Sequence, residues 1–172
     1  MSNTKILVYL MRRDLRISDN PVLHALSSQK DHGFTHVLPL FVFPAQQVEV
    51  SGFIPESAQV PSPYPEARSK VASFWRCGPN RAKFLAESVW DVKEGLESVG
   101  SGLCIRVGMI GEVVQEVLRG INERNDASVG AVWMVGEETS EEKTEEVDII
   151  AACNAAEVPY KIWVDEKYLI DE

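Results

Sequence analysis

The apolar run Ile6-Leu7-Val8-Tyr9-Leu10-Met11 passes without a break into Arg12-Arg13-Asp14-Leu15-Arg16-Ile17-Ser18-Asp19-Asn20-Pro21. A short, near-continuous apolar run bounded by turn residues reads as a strand buried on both faces. Asn20 or Asp19 can cap a helix that follows, and Pro21 suits its first position, where a missing N–H leaves no partner unsatisfied. A buried strand, a charged turn and a capped helix are how an open α/β sheet builds the mouth of a ligand crevice. The rest of the chain reads as repeats of this unit.

Arg12, Arg13 and Arg16 fall within five residues at the carboxyl edge of that strand. A guanidinium is costly to desolvate alone, so each requires an anion nearby. The anion can be external: a phosphate, a carboxylate or an acidic face of another domain, helped by the dipole of the helix beginning near Asn20. It can also be internal, through ion pairs with Asp14, Asp19 and the chain's glutamates, and charge clusters of this kind favour the internal reading. No G-x-G-x-x-G accompanies the arginines, so there is no dinucleotide fingerprint.

Val22, Leu23, Ala25 and Leu26 give the stretch from Pro21 to Gln29 an apolar helical stripe, ended by Lys30-Asp31-His32-Gly33. His36 to Phe43 reads as a second buried strand in which Pro39 implies a bulge or an edge. Pro44 to Glu66, rich in Pro, Gln, Ser and Gly, reads as a long loop whose Phe53, Ile54 and Tyr64 could dock on the surface. A short helix is expected over Ala67 to Trp75 and a long one over Asn80 to Val99, with Phe84, Leu85, Val89, Val92 and Leu96 inward. Leu103 to Val107 is a third strand, Glu112 to Arg124 a helix, and Val129 to Val135 a fourth strand. The last helix opens at Thr139-Ser140-Glu141-Glu142, where Thr139 and Glu142 fit a capping box, and packs through Val147, Ile149, Ile150 and Ala151 to Ala156. Pro159 ends it before Tyr160 to Val164, a fifth strand.

Strands alternating with helices predict an α/β fold: a Rossmann-like, doubly wound five-stranded parallel sheet with helices on both faces, one domain over residues 1–172. Ligands bind such sheets beyond the carboxyl ends of the strands, which gathers the loops after Met11, Phe43 and Val135. The last of these carries seven acids between Glu137 and Asp148, with only Lys143 to offset them. A solvated helix start accounts for such acids, which the dipole favours. That is the favoured reading, and a carboxylate there could also accept hydrogen bonds from the N–H groups of a pterin or purine.

A net charge of −9 argues against a chain that grips a nucleic-acid backbone by itself. Cys77, Cys104 and Cys153 are odd in number and far apart, and with His24, His32 and His36 they match no metal-ligand spacing, so no metal site is expected and the cysteines read as buried small hydrophobes. The absence of a signal-like start and of a long apolar run predicts a cytoplasmic or nuclear chain without a membrane segment.

Arg12-Arg13-Asp14-Leu15-Arg16 with Asp19-Asn20-Pro21, then Gly78-Pro79-Asn80-Arg81-Ala82-Lys83-Phe84-Leu85-Ala86-Glu87-Ser88-Val89, resemble the N-terminal α/β domain of the photolyase and cryptochrome family, on its cryptochrome DASH branch. Ser51-Gly52-Phe53 and Ser62-Pro63-Tyr64-Pro65 are similar to fungal members. The resemblance covers essentially the whole chain and implies a light-harvesting domain, in which methenyltetrahydrofolate lies in a cleft against a C-terminal helical domain and passes excitation to FAD held there. It places the folate-anchoring glutamate at Glu141, with Ser140 beside it. It also implies that FAD, the tryptophan electron-transfer chain and the DNA groove belong to that helical domain, absent from this chain. Trp75, Trp90, Trp133 and Trp163 are then packing residues, no catalytic residue is expected here, and the exposed interdomain face could self-associate. The full-length parent would be a flavoprotein resembling a cyclobutane pyrimidine dimer photolyase that favours single strands. Two other functions fit the residues alone: a free-standing nucleotide or flavin binder with Arg13 or Arg16 on a phosphate, and a protein-interaction scaffold using the loop from Pro44 to Glu66.

Overall fold

The strand that opens the chain alternates strictly between two cores. In the computed structural model, which describes residues 4–29, 31–50, 62–69 and 71–165, Leu7, Tyr9 and Met11 of β1 (Thr4–Met11) face one side of the sheet and Val8 and Leu10 the other. The first side is covered by α1 (Pro21–Ser28) through Val22 and Ala25, and by α2 (Pro79–Ser98) through Val89, Val92 and Leu96. The second is covered by α3 (Ile110–Asn122) through Val113, Val114 and Leu118, and by α4 (Ser140–Ala155) through Ile149, Ala152 and Cys153. With β2 (His36–Pro44), β3 (Cys104–Gly108), β4 (Ala127–Val135) and β5 (Tyr160–Trp163), all pairings parallel, the strand order is β3-β2-β1-β4-β5. The expected doubly wound α/β sheet is therefore present, and its order reverses between β1 and β4.

Local chemistry explains the elements. Asn20 caps α1, its Oδ1 accepting from the N–H groups of Val22 and Leu23 at 3.0 Å, with Pro21 opening the helix. Pro39 lies opposite Tyr9, while the ladder to β3 begins only at Leu40, so at Pro39 one side of β2 has no strand beside it and the missing N–H costs no ladder bond there.

Several expectations are corrected. Ala67 to Trp75 is not a helix: Arg68 and Trp75 form an antiparallel bridge, the Arg68 guanidinium stacks 3.8 Å from the Trp75 ring, and Ser73 turns the chain with φ 56°. Phe84 is 70% exposed, because the buried stripe of α2 runs through Leu85, Val89, Val92 and Leu96, and Phe84 lies one residue off that 3–4 spacing. On α4, Val147 is 65% exposed, and the buried face instead begins with Glu142, Glu145 and Glu146. Three of the acids assigned to a solvated helix start are thus inside. Thr139 caps α4 without a side-chain hydrogen bond, so the capping box does not form. Cys153 is buried as expected, its thiol pushed up to about 11 by desolvation, whereas Cys77 and Cys104 are only half-buried.

Ala45, Gln47, Val48 and Val50, at the head of the expected surface loop, are buried; Phe53 and Ile54 lie outside the described residues. Trp133 and Trp163 pack edge to face at 5.1 Å, as packing residues should, while Trp90 is exposed. Among the described residues no three His, Cys, Asp or Glu side chains gather as a metal site, and no helix is long and apolar enough to cross a membrane.

Gly130 of β4 lies beneath the Phe34 ring: an added Cβ would sit 2.7 Å from two ring carbons and 2.9 Å from Lys5 Cγ. Gly130→Ala should therefore destabilise the fold by about 1–3 kcal/mol, the cost of overpacking, read as a lower urea midpoint at unchanged m-value.

Candidate functional site

The turns after β1, β2 and β4 converge where the strand order reverses, and the three arginines meet the acids of α4 there. Arg12 is 5% exposed. Its Nη1 donates to Glu146 Oε1 at 3.0 Å, and its Nη2 to the Glu142 carbonyl at 2.6 Å and Glu145 Oε2 at 3.2 Å. Arg13 pairs with Glu142 Oε1 at 3.1 Å and donates to Gln47 Oε1 at 2.5 Å; Gln47 Nε2 donates onward to Glu145 Oε1 at 2.6 Å. Arg16 stands apart, pairing with Asp165 at 2.5 Å in a half-exposed position. The internal ion-pair reading thus describes all three arginines, with partners on α4 and beyond β5 rather than on the neighbouring aspartates. An external phosphate at Arg12 would have to displace two carboxylates.

The two carboxylates on Arg12 shift in opposite directions. Desolvation carries Glu145 above the ordinary carboxylate range, against the pull of Arg12 and Arg13. Glu146 feels burial too, but the Glu137 N–H at 2.9 Å, Arg12 and Lys143 outweigh it and hold it below that range.

Below this layer lies a buried polar cluster. The Tyr9 hydroxyl donates to Asp14 Oδ2 and accepts from Asn20 Nδ2 at 2.6 Å; Asp14 also accepts from the Arg12 N–H at 3.1 Å and from Asn20 at 3.3 Å. Burial raises both the Asp14 carboxyl and the Tyr9 phenol. The RRDLR stretch is therefore mainly a structural lock joining β1, α1 and α4.

Glu141 behaves differently. One residue before the buried Glu142, its side chain is 50% exposed, and it pairs with Arg76 from the segment before α2. Ser140, the first residue of α4, is exposed beside it. Arg13, Gln47, Arg76, Cys77, Arg81 and Glu141 line a cavity of about 10 Å³, enough for one water. Three guanidinium groups there donate and one carboxylate accepts, and the volume does not admit a ring.

Sequence reasoning singled out Glu141 and Ser140 and missed Gln47, Arg76 and the buried roles of Glu145 and Glu146. For the two glutamates a signal existed: residues 142, 145, 146, 149, 152 and 153 follow the 3–4 spacing of an inward face. Gln47 and Arg76 sit in irregular segments with no period to reveal them.

The domain is thus a doubly wound α/β sheet of order β3-β2-β1-β4-β5 with its crevice sealed by arginine–glutamate pairs. The DNA photolyase family matches residues 7–170, and the chain belongs to it. Within that family it is 49% identical to a mitochondrial cryptochrome DASH of Neurospora crassa, over all of this chain and 23% of that protein. It is 47% identical to a cryptochrome DASH of Gibberella zeae, over all of this chain and 24% of that protein. The chain spans about a quarter of the length of these relatives. The archaeal photolyase of Sulfolobus tokodaii, described with two FAD molecules and an implied novel light-harvesting cofactor, shares the fold with a TM-score of 0.63 at 20% identity, covering 97% of this chain and 32% of its own.

Proposed function

We propose that this chain is the light-harvesting α/β domain of a cryptochrome DASH and that Glu141, with Ser140, anchors a methenyltetrahydrofolate antenna. The observation that carries this reading is the exposure of Glu141: Glu142, Glu145 and Glu146 turn inward to the arginines, whereas Glu141 presents a half-exposed carboxylate at the ligand edge of the sheet. A carboxylate accepts two hydrogen bonds side by side, which matches the 2-amino and ring N–H groups of a pterin. The antenna supplies near-ultraviolet or blue absorption; FAD, and any repair of DNA, belong in this reading to a C-terminal helical domain.

Titrating the chain with methenyltetrahydrofolate, and following the shifted absorption band of the bound chromophore, tests the assignment. Glu141→Gln replaces two acceptors by one acceptor and one opposing donor, and should weaken binding by about 10- to 100-fold, the worth of hydrogen bonds to a charged group. Equal binding by both proteins would remove Glu141 from the site.

The nucleotide-binder reading has less support, because the crevice mouth is filled by Arg12, Arg13, Gln47 and the α4 glutamates.

A further inference from the structure

One short segment carries a charge opposite to that of the chain. Between Glu66 and Glu87 lie Arg68, Lys70, Arg76, Arg81 and Lys83, five of the chain's 17 Lys and Arg, and none of its 26 Asp and Glu. The same segment exposes apolar side chains: Val71 is 95% exposed and Phe74 64%, with Trp75 and Phe84 beside them in sequence and also exposed.

These side chains are held out by a closed turn. The Ser69 N–H donates to the Phe74 carbonyl and the Ser73 N–H to the Ser69 carbonyl, both at 2.9 Å, next to the Arg68–Trp75 bridge. Arg68 Nη1 donates to the Ser73 carbonyl at 2.9 Å while its guanidinium covers one face of Trp75, and the Arg76 N–H closes on the Ala67 carbonyl at 2.9 Å. Val71 stands at the tip of this turn, and Phe74 and Trp75 lie in the arm that returns. The helix α2 follows at once. Its first turn holds no acid, so the dipole adds positive potential there. Arg81 and Phe84, three residues apart, share one face of α2, and Arg81 is exposed with no ionic partner among the described residues.

We propose that this segment docks the chain on an anionic lipid surface. Val71 and Phe74 enter the interface, Trp75 sits at headgroup level, and Arg81 and Lys83 meet the anionic headgroups. A bilayer interface takes aliphatic, aromatic and cationic side chains at successive depths. A single nucleic-acid strand would use the cations and stack on the aromatic rings, but it gives the aliphatic Val71 nothing to bury against. The net charge of −9 does not oppose docking, because exposed charges are screened beyond about 8 Å at physiological ionic strength and the lipid meets only the segment that touches it. Among the described residues no helix is long and apolar enough to cross a membrane, so the contact is peripheral.

Co-sedimentation of the chain with phosphatidylcholine vesicles, prepared with and without phosphatidylserine, tests the proposal. The chain should bind the vesicles that contain phosphatidylserine and not the others, and binding should fall as salt is raised to about 1 M, where the screening length is about 3 Å. Val71→Ser combined with Phe74→Ser should weaken binding by at least about tenfold, the worth of burying one large apolar side chain. Arg81→Ala should weaken it about fivefold, the worth of one cation at such a surface. Val99→Ser, at an exposed valine beyond the far end of α2, should bind as the wild type does, with circular dichroism confirming that every variant is folded. Failure to bind the phosphatidylserine vesicles, equal binding to both kinds, or unchanged binding by the double variant overturns the proposal. Capture of a single-stranded oligonucleotide without partition to either vesicle also overturns it and reassigns the segment to nucleic acid.

Discussion

Arg12→Met should lower the unfolding free energy by about 3–5 kcal/mol, the largest single effect expected in this chain. Methionine fills much of the space of the arginine stem but leaves Glu145 and Glu146 buried against the sheet edge without their shared cation, and removing one member of a buried ion pair costs about this much. Urea unfolding followed by circular dichroism measures it. Two companions make the cause identifiable. Arg16→Ala, which breaks a half-exposed pair with Asp165, should cost no more than about 1 kcal/mol. Combining Arg12→Met with Glu145→Gln and Glu146→Gln should recover a substantial part of the loss, since buried ion clusters replaced as a set are far less costly than when broken. If the triple variant were no more stable than Arg12→Met alone, lost packing rather than stranded charge would be responsible.

Asp14→Ala should cost about 2–4 kcal/mol, because it deprives the buried Tyr9 hydroxyl and the Arg12 N–H of their acceptor in one step. Asp14→Asn keeps an acceptor oxygen and should cost less, but it should change how stability depends on pH. Burial holds the Asp14 carboxyl above its ordinary range even though Tyr9, the Arg12 N–H and Asn20 all favour its ionised form. The folded protein therefore keeps this proton to higher pH than the unfolded chain does. The associated stability is full below the ordinary carboxylate pKa and is lost as pH rises through the folded value. Asp14→Asn should flatten that descending limb. Glu146 contributes with the opposite sign, its stabilisation being lost as pH falls, so the acid-side loss should persist in Asp14→Asn. A descending limb unaltered by Asp14→Asn would assign it to Glu145, the other carboxyl raised by burial.

Much of the fold was legible because short-range rules wrote it. The alternation of Leu7, Tyr9 and Met11 with Val8 and Leu10, the Asn20-Pro21 cap and the 3–4 stripe of α3 need only the local period of strand and helix. Where reading failed, a long-range partner had overridden a local preference. Glu142 is placed to form a capping box with Thr139, but Arg13, some 130 positions away in the chain, offers a charge in a dry site and takes it. Val147 carries an apolar side chain and faces water because Arg12 requires the opposite face of α4 for Glu145 and Glu146.

The candidate site divides in the same way. Family motifs singled out Glu141, and the arginines announced a need for anions. Which acids answer that need, and which are left facing outward, depends on how α4 is rotated against β1. The sequence by itself determined the βα repeat, the two-sided core and the presence of opposite charges at the ligand edge. Only the tertiary structure decided that three glutamates are buried against Arg12 and Arg13, that Glu141 stays half-exposed, and that Arg76 is brought to it from an irregular segment 65 residues earlier. The physical reason is that hydrophobic period is a property of neighbours, whereas the pairing of desolvated charges is settled by whichever partner the assembled sheet brings within reach.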